Sequence, residues 1–109
     1  NCIYVGSDNT HLLIDIGVSM KKVVAALEEI DVKPEELSGI LITHEHSDHI
    51  RELAMILKKT KAELYINEKS YQMLNEKTLD EVNLHPVKFI EVIARVDINN
   101  FFLLQHKIF

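Results

Sequence analysis

Gly39-Ile40-Leu41-Ile42-Thr43-His44-Glu45-His46-Ser47-Asp48-His49-Ile50 is the stretch on which the reading of this chain turns. Its apolar run, Ile40-Leu41-Ile42, reads as a buried strand extending from Gly39 to Thr43. The next six positions, His44 to His49, hold three histidines and two carboxylates. From Ile50 to about Lys59 the apolar residues Ile50, Leu53, Ala54, Ile56 and Leu57 fall at helical spacing. The stretch therefore predicts a strand, a histidine-rich loop and a helix. Imidazole and carboxylate are first-rank ligands for zinc and related metals. A lone histidine is ordinarily a surface or packed residue, but four ligand-type side chains in this order are not explained by packing.

Local geometry divides the donors. Side chains two apart on an extended segment point the same way. His44 and His46 can therefore grip one metal ion while Glu45 points elsewhere. Asp48 and His49 lie where the chain turns into the next helix and can serve a second ion. Two ions about 3.5–4 Å apart can share a hydroxide and clamp attacking and leaving oxygens. Metal binding lowers the pKa of water toward about 7, so hydroxide is available at neutral pH. This chemistry is that of a metal-dependent hydrolase.

Working outward, Cys2-Ile3-Tyr4-Val5 and Leu12-Leu13-Ile14-Asp15-Ile16 read as two strands of a hairpin around the turn cluster Gly6 to Thr10. Asp15 stands inside an apolar strand, where a carboxylate is costly unless hydrogen-bonded or near a metal. It is expected to brace the histidine loop from behind the metal ligands. Ser19 suits an N-cap for a helix to about Ile30, with Met20, Val23, Val24, Leu27 and Ile30 on one face. Pro34-Glu35-Glu36-Leu37 reads as one helical turn. Downstream, Ala62 to Ile66 alternates like a strand and Lys69 to Asn75 reads as a helix. Val87 to Val96 and Phe101 to Phe109 are β-like, with a hairpin turn at Asp97 to Asn100. Strands and helices alternate, which is an α/β pattern. Ending in mid-strand leaves an unpaired edge, which proteins usually avoid.

The remaining chemistry-bearing residues read as structural. His11 is expected at the surface of a turn, His85 in a loop before Pro86, and His106 on a solvated strand face. Cys2 is expected to be packed, and Lys58, Lys59 and Lys61 to form a solvated helix end.

The 109 residues suffice for one domain with a core, and 47% hydrophobic with 27% charged residues is a globular balance. No apolar run approaches the roughly 18 residues of a membrane span. Asn1 is not a translation start, so the true N-terminus and any targeting segment lie out of view. A single cysteine permits no intrachain disulfide and suits a reducing cytoplasm. A net charge of −5 argues against a large nucleic-acid-binding face within this segment. It leaves a nucleic-acid substrate open, because a metal site supplies its own positive charge.

Leu13-Ile14-Asp15-Ile16-Gly17 and Ile40 to Ile50 together resemble the metallo-β-lactamase superfamily, whose signature is His-x-His-x-Asp-His. In detail, Thr43 to Ile50 looks like the bacterial branch of small single-domain exonucleases and phosphodiesterases. Asn1 to Val5 and Asn67-Glu68-Lys69 are similar to that branch as well. The resemblance implies the N-terminal half of a four-layer αββα sandwich: a mixed sheet with helices on one face, in an α/β (α+β) fold. It implies that His44 and His46 ligate the first metal, that Asp48 and His49 ligate the second, and that Asp15 is the structural aspartate of the second strand. Asp48 would also orient the nucleophile. The cofactors implied are two divalent ions, zinc first, with manganese or iron as alternatives. The family site also needs a later histidine, a bridging aspartate and a final histidine, expected beyond Phe109. The chain is thus expected to be a single, incomplete domain over residues 1–109. Arg51-Glu52 departs from the small residue often found one turn after the histidine loop.

The implied function is hydrolysis of phosphodiester bonds, with nucleic acid or a small phosphodiester as substrate and no membrane partner. A metallo-hydrolase of thioester, lactone or β-lactam substrates is the alternative within the fold. A third reading is a non-catalytic segment that forms a homodimer through its exposed sheet face.

Overall fold

Hydrophobic alternation and turn chemistry set the first hairpin. In the computed structural model, which describes residues 2–43, 47–89 and 105–108 (backbone alone for 47–51 and 105–108), Ile3–Gly6 (β1) pairs antiparallel with His11–Ile14 (β2). The Ser7 N–H donates to the Thr10 carbonyl at 2.8 Å, closing the turn over residues 7–10. That closure makes His11 the first residue of β2, opposite Gly6. The surface-turn expectation for His11 is therefore corrected. Its side chain is 16% exposed, its ring stacks on Tyr4, and its Nδ1 lies 2.5 Å from the Tyr4 hydroxyl. Burial, and then the Glu36 carboxylate, raise the Tyr4 pKa. Gly6 is required here, because a Cβ would collide with the end of the Tyr4 ring that lies across it.

Met20–Glu29 (α1) follows, with the Ser19 hydroxyl accepting from the Lys22 N–H as an N-cap. At its far end Asp31 takes a left-handed φ of 56°. Asp31 and Val32 N–H groups then bond back to the Glu28 and Leu27 carbonyls, a Schellman closure built on Asp instead of the usual Gly. A 3-10 turn, Pro34–Glu36, leads into Gly39–Ile42 (β3). Ser47–Leu57 (α2) and Glu63–Ile66 (β4) come next.

The helical segment expected from Lys69 to Asn75 is instead two helices, Glu68–Gln72 (α3) and Glu76–Val82 (α4). Asn67 caps the first by accepting from the Ser70 N–H, and Asn75 caps the second by accepting from the Thr78 N–H. Each Asn starts a helix, so Asn75 cannot be the end of one. Val87–Phe89 (β5) and Gln105–Ile108 (β6) complete the described elements. The strand expected beyond Phe89 and the turn expected at 97–100 lie outside the described residues.

The sheet order is β5-β4-β3-β2-β1-β6. β2 to β5 run parallel, and β1 is antiparallel to both its neighbours. β5 and β6 occupy opposite edges, so these two described strands do not pair with each other. Tyr4, Leu13, Ile40 and Leu64 align in register across the sheet and are buried. They form one core with Val23 and Leu27 of α1, Leu53, Ile56 and Leu57 of α2, and Val82 of α4. Burying each aliphatic side chain of this set contributes about 1.5–3 kcal/mol. α1, α2 and α4 lie between parallel strands in the chain and pack on the sheet face that carries Tyr4, Leu13, Ile40 and Leu64. The other side carries Ile3, Val5, Leu12, Ile14 and Leu41. Among the described residues no helix is long and apolar enough to cross a membrane.

Candidate metal centre

Parallel pairing of β2 with β3 puts their carboxyl ends side by side, where open α/β sheets bind their ligands. Asp15 stands directly after β2, with its backbone in the left-handed region at φ 59°. The Asp15 N–H donates to the Leu41 carbonyl at 2.7 Å. Its carboxylate takes two bonds from Thr43, at 2.9 Å from the N–H and 2.5 Å from the hydroxyl. These bonds offset the cost of a half-buried charge. Thr43 immediately precedes His44. The left-handed turn is what swings the carboxylate off the strand and across to β3, and Asp tolerates that conformation better than most residues.

His44, Glu45 and His46 lie outside the described residues. They occupy the three-residue connection between Thr43 and Ser47. α2 starts at Ser47, three residues earlier than its apolar spacing suggests. Ser-Asp is a favourable opening for a helix, and periodicity cannot see a polar first turn. The backbone of Asp48 and His49 is thus helical and belongs to the first turn of α2. One turn further along, Glu52 accepts the Met20 N–H of α1 at 2.8 Å. Among the described residues no three His, Cys, Asp or Glu side chains converge. The donors at 44–49, three imidazoles and a carboxylate, are chemically suited to zinc and neighbouring transition metals.

The other titratable groups fall elsewhere. His85 follows α4, with Nδ1 3.2 Å from the Ala62 carbonyl and Nε2 3.5 Å from Glu81. It is in a loop as expected, yet only 7% exposed. For His106 only the backbone is described, opposite Val5. Cys2 is buried, and burial pushes its thiol up to about 12. Lys58, Lys59 and Lys61 are exposed. They follow the C-terminus of α2, at the end of the sheet opposite Thr43.

Sequence reasoning gave no role to Thr43, and marked Glu52 only within Arg51-Glu52, as a departure from the small residue the resemblance leads one to expect. The contact of Glu52 with Met20 spans 32 residues and has no local signature. Thr43 could have been found: it precedes the histidine cluster, and a half-buried Asp at the end of the neighbouring strand needs a donor.

The described fold is a mixed sheet with its helices on one face, and a His-x-His-x-Asp-His sequence follows its third strand. The metallo-β-lactamase superfamily model matches residues 1–107, and the chain belongs to that superfamily. It is 46% identical over 84 residues to the exodeoxyribonuclease WalJ of Streptococcus pneumoniae serotype 2, covering 76% of this chain and 31% of the relative. It is 40% identical over 74 residues to the exodeoxyribonuclease YycJ of Bacillus anthracis, covering 68% and 28%. The chain thus spans under a third of the length of these curated relatives. Among solved structures, the apo chemotaxis sensor ODP from T. denticola superposes with a TM-score of 0.66 at 19% identity, over 82% of this chain and 35% of that one. The subclass B3 metallo-β-lactamase MEM-A1 from a soil metagenome gives 0.59 at 24% identity, over 67% and 28%. At these identities the structural likeness concerns the fold.

Proposed function

We propose that this chain supplies the first metal-binding half-site of a phosphodiesterase acting on DNA. The observation that carries the reading is the frame on either side of the sequence His44 to His49: Thr43 at the end of β3 is fastened by Asp15, and α2 begins at Ser47. The exodeoxyribonuclease relatives support the choice of substrate.

In this reading His44 and His46 hold one divalent ion, and Asp48 and His49 hold another. The bound ions, zinc first, supply Lewis acidity toward phosphate oxygens and a water of lowered pKa. The rest falls to the chain. Asp15 fixes the strand end from which His44 departs. Asp48 orients the attacking water from a rigid helix turn, which keeps the entropic cost of alignment small.

The test uses the full-length protein, with elemental analysis after dialysis and cleavage of labelled single- and double-stranded DNA. The expected outcome is bound divalent metal and DNA degradation, with both His46→Ala and Asp48→Ala lowering cleavage at least about 100-fold. Full activity in either variant would overturn the site assignment. Hydrolysis of a thioester, lactone or β-lactam, with DNA left intact, would overturn the substrate.

A further inference from the structure

The histidine loop is flanked by two fastenings, and both attach to the same short segment, residues 15–20. At its start, Thr43 is held by the Asp15 carboxylate. After its end, α2 is held by Glu52, whose Oε2 accepts the Met20 N–H at 2.8 Å. Glu52 is three residues beyond His49 and four beyond Asp48. Helical residues at these spacings share a face. The bond therefore sets the rotation and height of the helical turn that carries both residues. It is electrostatically favourable, since a carboxylate at the first position of α1 meets the positive end of the helix dipole. Ser19 takes the N–H of Lys22 from the same helix end. The capping of α1 is thereby divided between a local hydroxyl and a carboxylate brought from α2.

Leu53, Ile56 and Leu57 bury the remainder of α2 in the core, and the Glu52 bond adds a directional contact nearer to Asp48 and His49 than any of these three.

We infer that Glu52 is a positioning residue: by capping α1 it aims the first turn of α2, and so fixes Asp48 and His49 for metal binding. The inference rests on the metal-site reading above.

Its test uses the full-length protein as wild type, Glu52→Ala, Glu52→Gln and Met20→Pro. Met20→Pro deletes the donor but also removes a buried side chain, so Met20→Ala, which keeps the N–H, is its control, and only the loss beyond that control counts. Proline is well accepted at the first helical position, and Ser19 already has the extended backbone (φ −63°, ψ 151°) that a following proline demands. Co2+ affinity is measured by chelator competition, together with the Co2+ visible absorption bands. Hydrogen exchange at residue 52 and along α1 is followed in the metal-free protein. Glu52→Ala and Met20→Pro should each weaken Co2+ binding about 10-fold and shift the bands. Glu52→Gln, which keeps an oxygen acceptor, should recover most of the affinity. If Glu52→Ala does not fold, the proline and glutamine variants decide the matter. Reduced stability with unchanged affinity and unchanged bands overturns the inference and leaves the metal site standing. Failure of the wild-type protein to bind Co2+ removes the metal-site reading itself, and this inference with it.

Discussion

Replacing Asp15 separates two contributions that its position combines, hydrogen bonding to Thr43 and a left-handed backbone. The carboxylate receives two bonds, from a backbone N–H and a hydroxyl. A hydrogen bond to a charged group contributes roughly 1.5–3 kcal/mol, so two fully buried ones would approach about 5 kcal/mol. Both residues are half-buried, and solvent can partly replace the lost acceptor, which brings the estimate to about 3 kcal/mol. Asp15→Ala adds a second penalty, because alanine at φ 59° costs about 1 kcal/mol more than aspartate. The expected loss is therefore about 4 kcal/mol for Asp15→Ala. Asp15→Gly loses the same bonds but accepts the backbone, so it should lie about 1 kcal/mol above the alanine variant. Asp15→Asn keeps one carbonyl acceptor and tolerates the left-handed region, so it should lose only about 1 kcal/mol. The assay is urea unfolding of the full-length protein with chelator present, so that metal binding does not contribute to the apparent stability. A double-mutant cycle with Thr43→Val should give a coupling of about 1–2 kcal/mol. Coupling near zero, or a glycine variant less stable than the alanine variant, would refute the reasoning.

Two further predictions concern the first hairpin. Burial holds the Cys2 thiol protonated up to about 12, against 9.0 as the reference value for an exposed thiol. Between these values the unfolded chain has released a proton that the folded chain keeps, so stability falls as pH rises above 9.0. From pH 8 to 10.5, unfolding free energy should drop about 2 kcal/mol more in the wild type than in Cys2→Ala. Equal slopes would remove Cys2 as the cause, and the same burial predicts slow alkylation of Cys2 at neutral pH in the folded state. Gly6→Ala drives a methyl group into the Tyr4 ring, which is buried and tied to His11. The expected loss is about 2–3 kcal/mol in urea unfolding. Adding Tyr4→Phe, which removes the nearest atom, should restore part of it, and no recovery would place the strain elsewhere.

What the sequence disclosed, and what it withheld, follows from how far apart the interacting residues are. The Ser19 cap, the face of α1 and the strand before the histidine loop are local patterns, and the structure places them where spacing does. α4 was also locally written, because Asn75-Glu76-Lys77 repeats the Asn67-Glu68-Lys69 opening of α3 eight residues later. β5 is different. Alternation identifies a strand but not its neighbour, and two β-like segments near the C-terminus suggested a hairpin. The turn between them lies outside the described residues, and the parts that are described stand at opposite edges of the sheet. His11 is an intermediate case. Its partner Tyr4 is only seven residues away, yet the contact depends on the hairpin register, which a one-residue shift of the turn would have reversed.

The candidate site divides along the same line. Its donors are contiguous in sequence, because one loop carries them, and so they were legible at once. The groups that fix that loop are not contiguous: Asp15 acts on Thr43 across 28 residues, and Glu52 acts on Met20 across 32. Asp15 drew attention because a carboxylate in an apolar strand is costly wherever its partner lies. Glu52 gave no sign of this bond, because an acidic residue in a helix has an ordinary solvated alternative. A buried charge thus announces a constraint before its partner is known, whereas a charge on an amphipathic helix does so only once the fold brings another helix end to meet it.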